Sequence, residues 1–89
     1  MPTCQLTISN EEGLHARPAA KFVKLANQFP CEIWVEKDDE EINGKSIMGL
    51  MMLAAARGSV ISVSAEGEEA ETALEKLTEL VDSGFEIDV

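Results

Sequence analysis

Apolar residues in this sequence switch repeatedly between a period of two and a period near 3.6, which limits the chain to a fold that mixes strands with helices. Cys4, Leu6 and Ile8 alternate with Thr3, Gln5, Thr7 and Ser9, the pattern of a half-buried strand over residues 3–9. Asn10 to Gly13 reads as a loop. From Ala16 to Gln28 the spacing becomes helical: Ala19, Phe22, Val23 and Ala26 share one face, and Lys21 and Lys24 lie towards the other. Pro18 fits only in the first turn, where a missing N–H costs nothing, and Pro30 ends the helix. Alternation returns at 31–36, with Cys31, Ile33 and Val35 on one side and Glu32, Trp34 and Glu36 on the other. The acidic turn 37–40 leads to a short strand around Ile42. Ser46 has the character of an N-cap, followed by an apolar helix from Ile47 to Leu53. Beyond Gly58, Ile61, Val63 and Ala65 alternate with Ser62 and Ser64. A last helix carries Ala70, Ala73, Leu74, Leu77, Leu80 and Val81 at helical spacing, with Gly84 as its C-cap.

The predicted order is βαββαβα. Three helices of this length cover only one face of a four-stranded sheet. The expected fold is therefore α+β, an open-faced sandwich with a mainly antiparallel sheet whose wet face carries Thr7, Trp34, Ser62 and Ser64. With 89 residues the chain reads as one domain, 1–89. A domain of this size buries about 60–65% of the surface exposed by its unfolded chain, so chemistry belongs at the surface rather than in a deep chamber.

Seventeen acidic residues against seven basic ones give a net charge of −10. No basic stripe exists for a nucleic-acid backbone or an anionic membrane, so neither is expected as a partner. Cys4 and Cys31 stand far apart, without a CxxC motif or a Cys/His cluster; they read as buried free thiols, and no metal site is expected. Neither a secretory leader nor an apolar run of about 20 residues is present, and the expected location is the cytoplasm.

The chemistry-bearing stretch is Gly13-Leu14-His15-Ala16-Arg17-Pro18-Ala19-Ala20. His15, the single histidine, falls at the N-cap of the first helix. A helix N-terminus offers unpaired N–H groups and partial positive charge to an anion. Here the available N–H groups are those of Ala16 and Arg17, since Pro18 has none. The guanidinium fork of Arg17 suits phosphate oxygens, and Gly13 lets the loop turn sharply. A nucleophile, a dipole and a charge clamp thus share one short segment, which are the parts that phosphoryl transfer requires. Gly44-Lys45-Ser46 invites comparison with a P-loop, but the first glycine of that motif is Asp39 here, and the run follows a polar turn instead of a buried strand. In the helix that follows, Ile47, Met48, Leu50, Met51, Met52 and Leu53 exceed what one core-facing side needs, so an exposed apolar patch, and with it an interface, is expected.

The run GLHARPAAKFV resembles the active-site segment of the HPr family, the histidine-containing phosphocarriers of the phosphoenolpyruvate-dependent phosphotransferase system, and NGKSIMGLMMLAAARGSVISVSAEG extends the likeness over essentially the whole chain. The resemblance implies that His15 accepts a phosphoryl group on its δ nitrogen from Enzyme I and passes it to a IIA protein. Arg17 would stabilise the phosphate, with Ala16 contributing its N–H. It also implies a serine kinase/phosphorylase acting at Ser46, and docking of partners through Ala20, Lys24, Ile47, Met48 and Met51. On this reading the chain is a stoichiometric relay component and not an enzyme. It needs no cofactor of its own, magnesium serving Enzyme I, and is expected to be a monomer. The family serves sugar uptake and a nitrogen-related relay; both branches, and the identity of the acceptor, stay open. The alternative reading is a regulatory binding module of the same fold, acting through Ser46 or through docking alone. A self-contained enzyme lacks support: there is no second histidine, and no cysteine or carboxylate at a motif position beside His15.

Overall fold

A computed structural model describes residues Met1–Val89. Its elements follow the order read from the periodicity: β1 (Thr3–Thr7), α1 (Ala16–Ala26), β2 (Glu32–Lys37), β3 (Glu40–Asn43), α2 (Ile47–Met52), β4 (Val60–Glu66) and α3 (Ala70–Asp82). The four strands form one sheet in the order β1-β4-β2-β3, every neighbouring pair antiparallel. Strand β4, the last in sequence, thus sits between β1 and β2.

The register explains the two faces. Cys4, Val63, Val35 and Ile42 stand side by side across all four strands, and beside them Leu6 pairs with Ile61 and Ala65 with Ile33. This apolar face meets the helices, with Phe22 from α1, Leu50 from α2, and Leu77, Leu80 and Val81 from α3 fully buried. The next row, Thr3, Ser64, Trp34 and Asn43, faces away, and the Thr3 and Ser64 hydroxyls are 3.0 Å apart. Thr7 is exposed, and Trp34, Ser62 and Ser64 are half-buried on this open face, as the sequence predicts. No polar or charged residue is buried. The interior is entirely apolar, which leaves the surface as the place for chemistry.

Element ends shift by a residue or two. β1 stops at Thr7, although Ile8 still donates to the Ser59 carbonyl at 2.8 Å and accepts from Gly58 at 2.7 Å. β2 begins at Glu32 and runs to Lys37. Helix α1 ends at Ala26, where tighter bonds from Gln28 to Leu25 and from Phe29 to Ala26 close the last turn before Pro30 is reached. Helix α2 stops at Met52, with Leu53 as its C-cap. One thiol departs from expectation: Cys31 is buried, whereas Cys4 is only half-buried because its strand forms an edge of the sheet.

Helix α3 ends in a Schellman motif. Gly84 lies at φ +72°, its N–H donates to Val81, and the N–H of Phe85 reaches back to Leu80 at 2.9 Å. Gly84 therefore stands one residue beyond the C-cap, which is Ser83. The motif turns the chain so that Phe85 is buried against the core and the remaining residues pass beside the start of α1.

Candidate functional site

The loop before α1 is held from two sides. Gly13 adopts φ +69°, and a Cβ built there would lie 2.4 Å from the Ala55 carbonyl oxygen, so only glycine fits. The next N–H, of Leu14, donates to that same carbonyl at 2.9 Å, and the Leu14 side chain is buried. The Asn10 side-chain amide donates to the Gly13 carbonyl at 2.8 Å, while the Asn10 carbonyl accepts from the Gly13 N–H at 3.2 Å. These bonds fix the backbone one residue ahead of His15 and tie it to the segment that follows α2.

His15 is the N-cap of α1, in extended conformation (φ −78°, ψ −174°). Its carbonyl accepts the first helical bond, from Ala19 at 2.9 Å. Its imidazole makes no capping bond and is exposed to solvent. Helix geometry leaves the N–H groups of Ala16 and Arg17 without intrahelical acceptors, and the first turn contains no acidic residue to compete for them. Arg17 is exposed and forms no ion pair. The start of α1 therefore presents an uncommitted imidazole, backbone donors and an unpaired guanidinium, a set suited to a phosphoryl group.

The structure adds a wall that the sequence reading missed. His15, Ala16, Arg17 and Pro18 line an open cleft together with Asn10, Glu12, Lys21, Gly84 and Phe85. Lys21, one turn beyond Arg17, does not simply face solvent. Its ammonium donates to the Phe85 carbonyl at 2.8 Å and the Ile87 carbonyl at 3.4 Å, and lies 3.9 Å from Asp88. It pins the C-terminal turn next to the histidine. The available signal was the placement of Lys21 one helical turn from Arg17; its acceptors are backbone atoms more than 60 residues away and leave no mark in the local pattern.

At the second helix start, Ser46 caps α2: its Oγ accepts from the Gly49 N–H at 3.0 Å. Lys45 turns away from this terminus and donates to the Phe29 carbonyl at 2.8 Å, beyond the end of α1. The Gly-Lys-Ser run is thus a helix start with an inter-element clamp, not a phosphate cradle. On α2, Leu50 and Leu53 are 0% and 4% exposed, whereas Ile47 and Met51 are each 41%, Met52 69% and Met48 74% exposed. Met52 belongs to this surface although the sequence reading singled out only Ile47, Met48 and Met51. Ala20 and Lys24 are exposed on α1, which packs against α2. No group of three or more His, Cys, Asp or Glu side chains converges as metal ligands would, and no helix is long and apolar enough to cross a membrane.

The family model described as the PTS HPr component phosphorylation site matches residues 2–83. The chain belongs to the HPr family. It is 50% identical over 80 residues to the phosphocarrier protein HPr of Neisseria meningitidis serogroup A, covering 90% of each chain. It is also 51% identical over 69 residues to the HPr-like protein Crh of Bacillus subtilis, covering 78% of this chain and 81% of that one. Among solved structures, the HPr of Thermoanaerobacter tengcongensis superposes with a TM-score of 0.94 at 46% identity over the whole of both chains. An HPr dimer from the same organism superposes at 0.78, with 47% identity and coverage of 98% and 100%. The HPr fold and the general role of a phosphotransferase-system phosphocarrier come with this family.

Proposed function

We propose that this HPr-family chain carries phosphoryl groups on Nδ1 of His15, receiving them from phosphorylated Enzyme I and delivering them to a IIA-type protein. The observation that carries the reading is the N-cap of α1, where an exposed imidazole free of any capping bond stands beside the donors of Ala16 and Arg17. In the forward step the Nδ1 lone pair attacks phosphorus. A nitrogen–phosphorus bond forms as the bond from phosphorus to the donor's leaving group breaks, and that group departs with the electron pair. The phosphoryl oxygens then meet the Ala16 and Arg17 N–H groups and the Arg17 guanidinium, which stabilise charge without chemistry of their own. The return step to the acceptor is the same exchange in reverse.

Docking in this reading uses the exposed arc of α2 with Ala20 and Lys24 of α1. The relay works in the cytoplasm as a monomer, turning over stoichiometrically with its partners. Phosphorylation of Ser46 would place a dianion at the start of α2 and repel acidic groups on a docking partner. The likeness to Crh supports a second reading, a regulatory module of the same fold; the uncommitted pair His15 and Arg17 favours the carrier.

The test incubates the chain with phosphoenolpyruvate, magnesium and a bacterial Enzyme I, beside His15→Ala. One acid-labile phosphate, absent from the variant, is the expected mass-spectrometric result. No uptake by a folded chain, with several Enzyme I proteins tried, would overturn the carrier in favour of the regulatory module. Light scattering that gave twice the chain mass at working concentration would overturn the monomer.

A further inference from the structure

Helix α2 sorts its long side chains by type. Its buried positions, Leu50 and its C-cap Leu53, are leucines; its solvent positions are Ile47 and the three methionines Met48, Met51 and Met52. At roughly 100° per residue, these four follow one another around the helix in the order Ile47, Met51, Met48, Met52, a continuous arc opposite the leucines. The one other methionine, Met1, is also exposed, so no thioether lies in the core. The thiols are shielded by comparison. Cys31 is buried, and the half-buried Cys4 has its Sγ 3.6 Å from the Thr78 hydroxyl. A thioether at the surface is open to oxidation, whereas a shielded thiol reacts poorly. The accessible sulfur of this molecule is therefore concentrated on one face of one short helix.

We infer that Met48, Met51 and Met52 form a peroxide-sensitive modification site whose oxidation weakens partner docking while leaving the fold intact. The consequence for docking rests on the carrier reading above. In each event hydrogen peroxide transfers one oxygen atom to Sδ. The sulfur is oxidised by two electrons to the sulfoxide, and the peroxide is reduced to water. A flexible apolar side chain becomes a polar one, and burying that dipole against a partner without a hydrogen bond is unfavourable. The fold is spared because leucines, which do not oxidise, fill the core side, and because the Ser46 cap bond to Gly49 involves no sulfur. Coupling to the histidine is direct in the chain path: α2 runs into Ala55, whose carbonyl holds the N–H of Leu14. Reduction by a sulfoxide reductase returns the original surface, so the modification is reversible.

The test treats the full chain with hydrogen peroxide, removes the excess with catalase, maps peptides by mass spectrometry and then measures phosphoryl uptake from phosphorylated Enzyme I. The expected result is one added oxygen on each of the three methionines as well as on the exposed Met1, an unchanged circular-dichroism spectrum and unfolding midpoint, and an initial rate lowered by about tenfold. Methionine sulfoxide reductases restore that rate. In a variant combining Met48→Leu, Met51→Leu and Met52→Leu, the ratio of treated to untreated rate returns to near one, whatever its untreated rate. Replacing all three by glutamine, which mimics the polar product, slows uptake with no peroxide present. Full speed after complete oxidation of the arc would overturn the inference. So would equal peroxide sensitivity in the leucine variant, or loss of the fold on oxidation. An untreated native chain that takes up no phosphate at all overturns the carrier reading itself, and this inference with it.

Discussion

The two helix starts at His15 and Ser46 occupy equivalent positions and do different work. Ser46 engages its hydroxyl with the Gly49 N–H, and its neighbour Lys45 is held by the Phe29 carbonyl. Both polar side chains at the start of α2 are used to hold the fold together. At the start of α1, the imidazole of His15 makes no bond to the helix, and Arg17 has no ionic partner. Rigidity comes instead from one residue upstream, where Gly13 and Leu14 lock onto Ala55. The lesson is a division of labour: a cap residue can be reactive only when other groups take over its structural task.

His15→Ala tests this contrast most severely. It should abolish phosphoryl uptake, yet shift unfolding free energy by less than about 0.5 kcal/mol, because no side-chain cap bond is lost. A destabilisation matching that of a lost cap, measured by denaturant titration, would break the comparison. Next in size, Arg17→Ala should lower uptake by about a hundredfold, in the range seen when one stabilising donor is removed from a charged transition state. Its unfolding midpoint should not move, since the side chain is exposed and unpaired. At the other helix start, Ser46→Asp separates charge from capping. Aspartate caps as well as serine, so stability should hold while uptake falls by about tenfold if charge there hinders docking; an unchanged rate would remove charge at Ser46 as a regulator. Ser46→Ala should do the opposite, costing about 1 kcal/mol of stability with uptake almost unchanged. Lys21→Met should cost a similar amount, about 0.5–1.5 kcal/mol of stability, through the lost hydrogen bonds to the Phe85 and Ile87 carbonyls. Hydrogen exchange should then rise in the segment after Gly84 and remain unaltered in α2.

Much of the contrast was legible in the residues themselves. Residue type and spacing placed both His15 and Ser46 at helix starts, and the structure puts them there. The six apolar positions read for the last helix are the six it buries, because amphipathic periodicity is a strong signal over thirteen residues. What stayed hidden was long-range. Strand order does not show in period-two alternation, so the edge position that leaves Cys4 half-buried could not be read. Nor does helical spacing reveal that a lysine will find carbonyls of the C-terminal turn. On α2 the apolar excess was visible, but the share of the surface held by Met52 emerged only when Leu50 and Leu53 proved to supply the core contacts.

The strand order has a consequence for how the molecule comes into being. β1 finds its only sheet partner in β4, with Thr3 opposite Ser64, and β2 waits for the same strand. A chain growing from its N-terminus on a ribosome can form α1 early, but it cannot close its sheet until more than two thirds of it has been made. Folding dominated by such distant pairings is slow compared with local helix formation. Until β4 arrives, the strands before it expose the edges on which nascent chains aggregate. The keystone of the architecture is thus delivered only after β1, α1, β2, β3 and α2, and the sheet on which the relay site rests stays incomplete until it arrives.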